Sequence, residues 1–258
     1  MAPDGTVDGT RLSPARYLES LAHDAALVRA AAALPGAMAT PVPSCPGWSM
    51  RDLVGHLGSV YGHKAEVLRT GAAPVDGSWS HLGDDVPALP WFDEQLAAVT
   101  AELTSRDAQD ATWAWWPPEQ TVGFWLRRMA QESAIHRWDA ENAMQCVTPI
   151  AGDICVDGID ELLGWLTYPW DDDPQENAHG QSVLVRSADH SWDIRLYRDR
   201  VTVTTPTHAD SSYDAILHGD AEQLLLHIWG RLPSSSVSES GDAEALSLLR
   251  LRLTALGD

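Results

Sequence analysis

Two separated segments of the chain carry side chains suited to metal chemistry. The first runs Cys45-Pro46-Gly47-Trp48-Ser49-Met50-Arg51-Asp52-Leu53-Val54-Gly55-His56-Leu57, and the second Glu132-Ser133-Ala134-Ile135-His136-Arg137-Trp138-Asp139-Ala140. Each sets an imidazole, His56 or His136, on the apolar stripe of a long helix, and the second adds Glu132 one turn earlier. Two imidazoles and a carboxylate are enough to hold a divalent metal and leave a coordination position open. A carboxylate on a stripe flanked by Met129 and Ala143 is costly to bury unless a cation or hydrogen bonds compensate it. The spacing is equally consistent with a buried Glu132–His136 hydrogen-bonded pair and a satisfied core histidine at 56. Asp139 either orients His136 from behind, as carboxylates do for metal-bound imidazoles, or pairs with Arg137 or another arginine. His63, seven residues after His56, either lines the same cavity or, as the commoner case, is exposed.

These residues need helices to hold them. Apolar periodicity predicts helices over residues 14–34, 49–69, 91–105 and 119–144. Ser49-Met50-Arg51-Asp52 has the Ser-x-x-acid form of a capping box. The inward stripe of the second helix reads Leu53, His56, Leu57, Val60, then Tyr61 or Lys64, and Val67. That of the fourth reads Trp125, Met129, Glu132, His136, Asp139 and Ala143. Four helices with short connections predict an antiparallel bundle over residues 12–148. After Pro149 the pattern changes. Helices over 154–168, 221–229 and 243–253 enclose β-like runs at 182–185, 192–197, 201–204 and 215–217, with a hairpin turn at Arg198-Asp199-Arg200. Residues 149–258 therefore read as a small α+β domain, and the chain as α+β overall. Residues 171–177 read as a solvated acidic loop, and residues 1–11 as a disordered tail.

The composition sets limits. With 37 acidic against 17 basic residues, the formal charge of −20 disfavours nucleic acid and anionic membranes as partners. Lys64 is the only lysine, which reads as a compositional habit of an arginine-rich chain. No stretch approaches the length of a membrane span, and the N-terminus lacks the basic and apolar regions of a signal peptide. Three cysteines without Cys-x-x-Cys spacing fit a reduced, cytoplasmic protein. The oligomeric state is not legible.

The two opening segments, together with Leu217-His218-Gly219-Asp220-Ala221-Glu222-Gln223-Leu224-Leu225-Leu226-His227-Ile228-Trp229-Gly230-Arg231, resemble the mycothiol-dependent maleylpyruvate isomerase family, whose N-terminal part is a DinB-like metal-binding four-helix bundle. The resemblance spans both halves of the chain in order. It implies a metal triad of His56, Glu132 and His136, with zinc as the ion and mycothiol, a small-molecule thiol, as cosubstrate. It further implies that the bound thiol is held as the nucleophilic thiolate. The partner is a small electrophile, which an isomerase releases after bond rotation and a transferase keeps attached to the thiol. The resemblance also makes Arg231 the candidate catalytic arginine of the C-terminal domain, where it otherwise caps a helix end.

The remaining residues have plainer readings. Arg127 and Arg128 read as exposed or, less commonly, as anion contacts, Trp113, Trp115 and Trp116 as core or as the wall of an apolar pocket, Trp48 as the anchor of a helix start, and Cys45 as structural. Two rival functions stay open. One is a hydrolase using metal-bound water; the other is a non-catalytic ligand-binding protein on the same scaffold.

Overall fold

Each bundle helix begins where the sequence supplies a cap. In the computed structural model, which describes residues 11–75, 79–169, 177–206 and 212–255, helix α1 (Pro14–Ala32) starts behind Ser13, whose side chain accepts from the Arg16 amide. Helix α2 (Met50–Thr70) opens on a reciprocal capping box between Ser49 and Asp52 and closes on Gly71 in the left-handed conformation, φ 67°. Helix α3 (Ala88–Thr104) starts three residues before the expected Trp91. Pro90 is tolerated in its first turn because the amides there have no intrahelical acceptor to lose. Helix α4 (Val122–Ala143) starts later than expected, because Thr121 takes the cap. The residues before it instead form a turn in which the Gln120 side chain bonds the Ala114 backbone in both directions.

Residues Leu12–Ile150 form one compact unit. Its α1 packs chiefly on α4 and its α2 on α3, with α2 and α4 meeting across the interior. Leu21, Leu53, Leu57, Tyr61, Phe92 and Trp125 lie in its core. The close approach of α3 to α2 depends on Gly58, where an added Cβ would lie 2.3 Å from the Trp91 ring. The bundle is pinned at its base by Arg137, fully buried between Asp24 and Glu141 and bonded to the Thr148 and Pro149 carbonyls.

The second unit begins at Ala151. It comprises α5 (Gly152–Trp165), β1 (His179–Arg186), β2 (Ser191–Tyr197), β3 (Val201–Thr204), β4 (Ala215–His218), α6 (Ala221–Ile228), β5 (Ser238–Gly241) and α7 (Ala243–Thr254). The sheet order is β3-β2-β1-β4-β5, antiparallel except for β1 against β4. Strand β2 alternates as expected, burying Trp192, Ile194 and Leu196. The polar strand β5 has no apolar alternation to announce it and is held by its pairing with β4. The tail at residues 1–10 and the acidic stretch at 171–176 lie outside the described residues. Among the described residues, no helix is long and apolar enough to cross a membrane.

Candidate metal centre

Helices α2 and α4 run antiparallel, since contacts descend α4 as they climb α2. The His56 and His136 rings lie 5.0 Å apart, Tyr61 bonds Ser133 at 2.6 Å, and the Lys64 ammonium sits 4.8 Å from the Trp125 ring centre. Glu132 stands where the two imidazoles converge. Its Oε1 is 3.2 Å from His56 Nε2 and 3.4 Å from His136 Nε2, while its Oε2 accepts from Arg128 Nη2 at 2.8 Å. Trp48 roofs both rings, with centroid distances of 4.9 Å and 6.2 Å.

His136 faces a different environment on its other edge. Nδ1 lies 2.9 Å from Asp139 Oδ2, and Cys45 Sγ donates to the same oxygen at 3.5 Å. Two overlapping donor sets therefore share this imidazole. One is His56, Glu132 and His136, the other Cys45, His136 and Asp139, and in each the ligand atoms lie within 4.8 Å of one another. Exposure separates them. The His56 and Glu132 side chains are 34% and 18% exposed, whereas Asp139 is sealed. A site that must admit an outside ligand needs the first set. With the Nδ1 hydrogen held by Asp139, the Nε2 lone pair is free to face the first set, the usual carboxylate–imidazole arrangement behind a metal ligand. Two nitrogen donors and a carboxylate oxygen suit a zinc-like cation.

Burial pushes the Glu132 carboxyl up, but hydrogen bonds from His136 and His56 and the charges of His136 and Arg128 outweigh it and hold the group well below the ordinary range. Burial pushes His136 down, yet its hydrogen bonds with Asp139, Cys45 and Glu132 raise it well above the usual imidazole value. An imidazolium clamped between two carboxylates is the result.

Further along the same interior, several residues depart from expectation. His63 is buried, stacked 4.0 Å from the Trp79 ring, and its pKa is pushed down to about 4 by burial and by the Lys64 charge. Lys64 is also buried, which lowers its pKa to about 8. Its Nζ donates to His63 Nδ1 at 2.9 Å. Arg127 and Arg128 are buried as well. Expecting His63, Arg127 and Arg128 outside treated charge as a guide to exposure, whereas Lys64 lies on the stripe read as inward; on α4 nearly every position from 122 to 141 is enclosed. Trp113, Trp115 and Trp116 pack against the core as expected.

The structure brings together His56, Glu132, His136 and Asp139. Arg137 is already taken by Asp24 and Glu141, and Asp139 turns to His136 instead. Arg231 belongs to the second unit, where its Nη1 bonds the Trp229 carbonyl at 2.9 Å just after α6. Cys45 was missed as a neighbour of the site because its partners lie more than ninety residues away in sequence.

Residues 19–141 match the family model for the mycothiol maleylpyruvate isomerase N-terminal domain, and residues 153–248 match that for the MDMPI C-terminal domain. The chain belongs to the mycothiol maleylpyruvate isomerase family. Crystal structures of the mycothiol-dependent maleylpyruvate isomerase and of a histidine-to-alanine mutant resemble it with TM-scores of 0.58 and 0.60. Each match covers 90% of this chain and 95% of the other, at 12% and 11% sequence identity. At that identity the likeness speaks for the fold of the isomerase family alone. No curated protein sequence matches the chain.

Proposed function

We propose that this protein is a mycothiol-dependent isomerase or S-transferase acting on a small electrophile, with zinc held by His56, Glu132 and His136. The observation that carries this reading is the convergence of those three side chains at a half-open position, with His136 braced by Asp139, in a chain of this family. A divalent cation bound there favours the deprotonated, nucleophilic form of a coordinating thiol.

The protein's own residues do the rest. Asp139 fixes the orientation of His136 and keeps the hydrogen on Nδ1. Arg128 holds the second oxygen of Glu132 and so fixes that carboxylate's rotamer. Trp48 covers one side of the two rings and excludes water there. Arg231 is the candidate for a contact to an anionic electrophile, through a bidentate guanidinium.

The test is calorimetric titration of mycothiol into zinc-loaded protein, with His136→Ala as the paired control. Metal-dependent binding of the thiol, lost in the variant, is the expected result. Absence of binding in fully metallated protein refutes the reading, and turnover without thiol would favour a hydrolase. Arg231→Ala is expected to lower turnover while leaving zinc and thiol affinity unchanged.

A further inference from the structure

The His136 imidazole has two nitrogens, and each looks into a different set of donors. Nε2 belongs with His56 and Glu132, the set proposed above for zinc. Nδ1 belongs with Cys45 Sγ and Asp139 Oδ2, and the three ligand atoms lie within 4.8 Å of one another. The proposed chemistry uses Asp139 only as a brace and Cys45 not at all.

The second set has the spacing of a coordination shell. Around a tetrahedral ion with bonds of about 2.0 Å to nitrogen and oxygen and about 2.3 Å to sulfur, neighbouring ligand atoms stand about 3.3–3.6 Å apart. Cys45 Sγ is 3.5 Å from Asp139 Oδ2, and His136 Nδ1 is 2.9 Å from the same oxygen. An ion needs the imidazole and the carboxylate to part by only about 0.4 Å. All three groups are also held in place beforehand. His136 and Asp139 are three apart on α4 and share one of its faces. Cys45 sits in a closed loop, where Pro41 pairs with Ser49, the Val42 amide donates to the Trp48 carbonyl and the Cys45 amide to the Val42 carbonyl. Gly47, with φ 85°, lets that loop turn back to α2.

Donor type sorts ions between the two sets. His56, Glu132 and His136 offer nitrogen and oxygen, whereas Cys45 adds a sulfur that prefers thiophilic cations. The second set is also the better enclosed, with Cys45 8%, His136 6% and Asp139 0% exposed, so water competes little for an ion there. Charge balances as well. A dication entering the zinc-loaded protein displaces two protons to solvent, one from the thiol and one from Nδ1, and the enclosed charge is unchanged.

We propose that Cys45, His136 Nδ1 and Asp139 form a second, interior site for a thiophilic divalent cation of the cadmium class. Zinc or cobalt at one equivalent takes the more exposed first set, and the thiophilic ion fills the second, on the opposite edge of the same ring. Filling it replaces the hydrogen bond between Nδ1 and Asp139, which makes the zinc centre sensitive to such ions. The inference rests on the proposed reading only in placing zinc on Nε2; thiol and electrophile play no part in it.

The test titrates cadmium(II) into the zinc-loaded, full-length chain carrying Cys146→Ser, which removes the exposed thiol. Uptake is read from the thiolate-to-cadmium ultraviolet band, and retained zinc by elemental analysis after desalting. A saturable band with zinc kept is expected, absent in Cys45→Ser and reached only at higher cadmium in Asp139→Asn. No band, a band that persists in Cys45→Ser, unchanged uptake in Asp139→Asn, or uptake matched by zinc loss would overturn the site. If Cys45→Ser fails to fold, the cadmium-113 resonance of the parent protein decides. A shift in the sulfur-ligated range supports the site, and one in the nitrogen-and-oxygen range overturns it. Neither readout involves mycothiol or turnover, so failure of the mycothiol reading and failure of this site are separately visible.

Discussion

Replacing Asp139 by Asn and, separately, Glu132 by Gln asks which of the two donor sets around His136 is the metal site. Both substitutions keep shape and remove a charge. Asp139 is fully buried and touches His136 only on the Nδ1 edge, so Asp139→Asn leaves His56, Glu132 and the Nε2 lone pair in place. Losing a carboxylate behind a ligand imidazole costs about 10- to 100-fold in metal affinity. Glu132→Gln removes a ligand. Zinc sites of four ligands bind with about 10–16 kcal/mol, so one ligand accounts for about 3 kcal/mol, a factor of a hundred or more. Chelator competition at neutral pH measures both. Cobalt(II) substitution adds an independent readout, because a cysteine ligand produces a thiolate-to-metal charge-transfer band and the His56–Glu132–His136 set produces none. The expected order of loss is Glu132→Gln well beyond Asp139→Asn, without the thiolate band. The reverse order, or a band that disappears in Cys45→Ala, would refute the assignment and place the metal among Cys45, His136 and Asp139.

Three further outcomes follow from the packing. His63 is held near pKa 4 in the folded protein against about 6.5 when unfolded, so the unfolded chain binds the extra proton as pH falls. Stability should therefore drop by roughly 3 kcal/mol between pH 6.5 and 4, and His63→Phe should flatten that part of a denaturant-midpoint profile. Arg137→Met strands Asp24 and Glu141 without their cation and should destabilise the bundle by about 3–5 kcal/mol in urea unfolding. Gly58→Leu drives a side chain into the Trp91 ring and should cost about 1–3 kcal/mol, measured the same way, with a smaller loss when combined with Trp91→Ala.

The convergence of His56, Glu132 and His136 was legible because helical spacing is rigid. Once residues 132 and 136 are placed on a helix they share a face, and apolar neighbours mark that face as inward. The Ser49 capping box was legible for the same local reason. Residues whose position depends on a distant partner were not. Cys45 meets His136 and Asp139 only after α2 and α4 pack. His63 and Arg128 look like surface residues until their helices are buried. A signal was available for Lys64, which is the sole lysine and falls on the inward stripe of α2, yet composition alone argued for ignoring it. Strand β5 carries no pattern because an edge strand with a polar sequence is defined by its neighbour.

The candidate metal ligands, the carboxylate behind them and the covering indole all come from positions between 48 and 139, inside a single compact unit. On the proposed reading, the residues that would arm a sulfur nucleophile all belong to one module, and Arg231 is the one proposed contributor from beyond residue 150. Such a division of labour lets descent with modification exchange the C-terminal half without rebuilding the reactive end. A lineage built this way can diversify what it attacks while inheriting unchanged the means of attack.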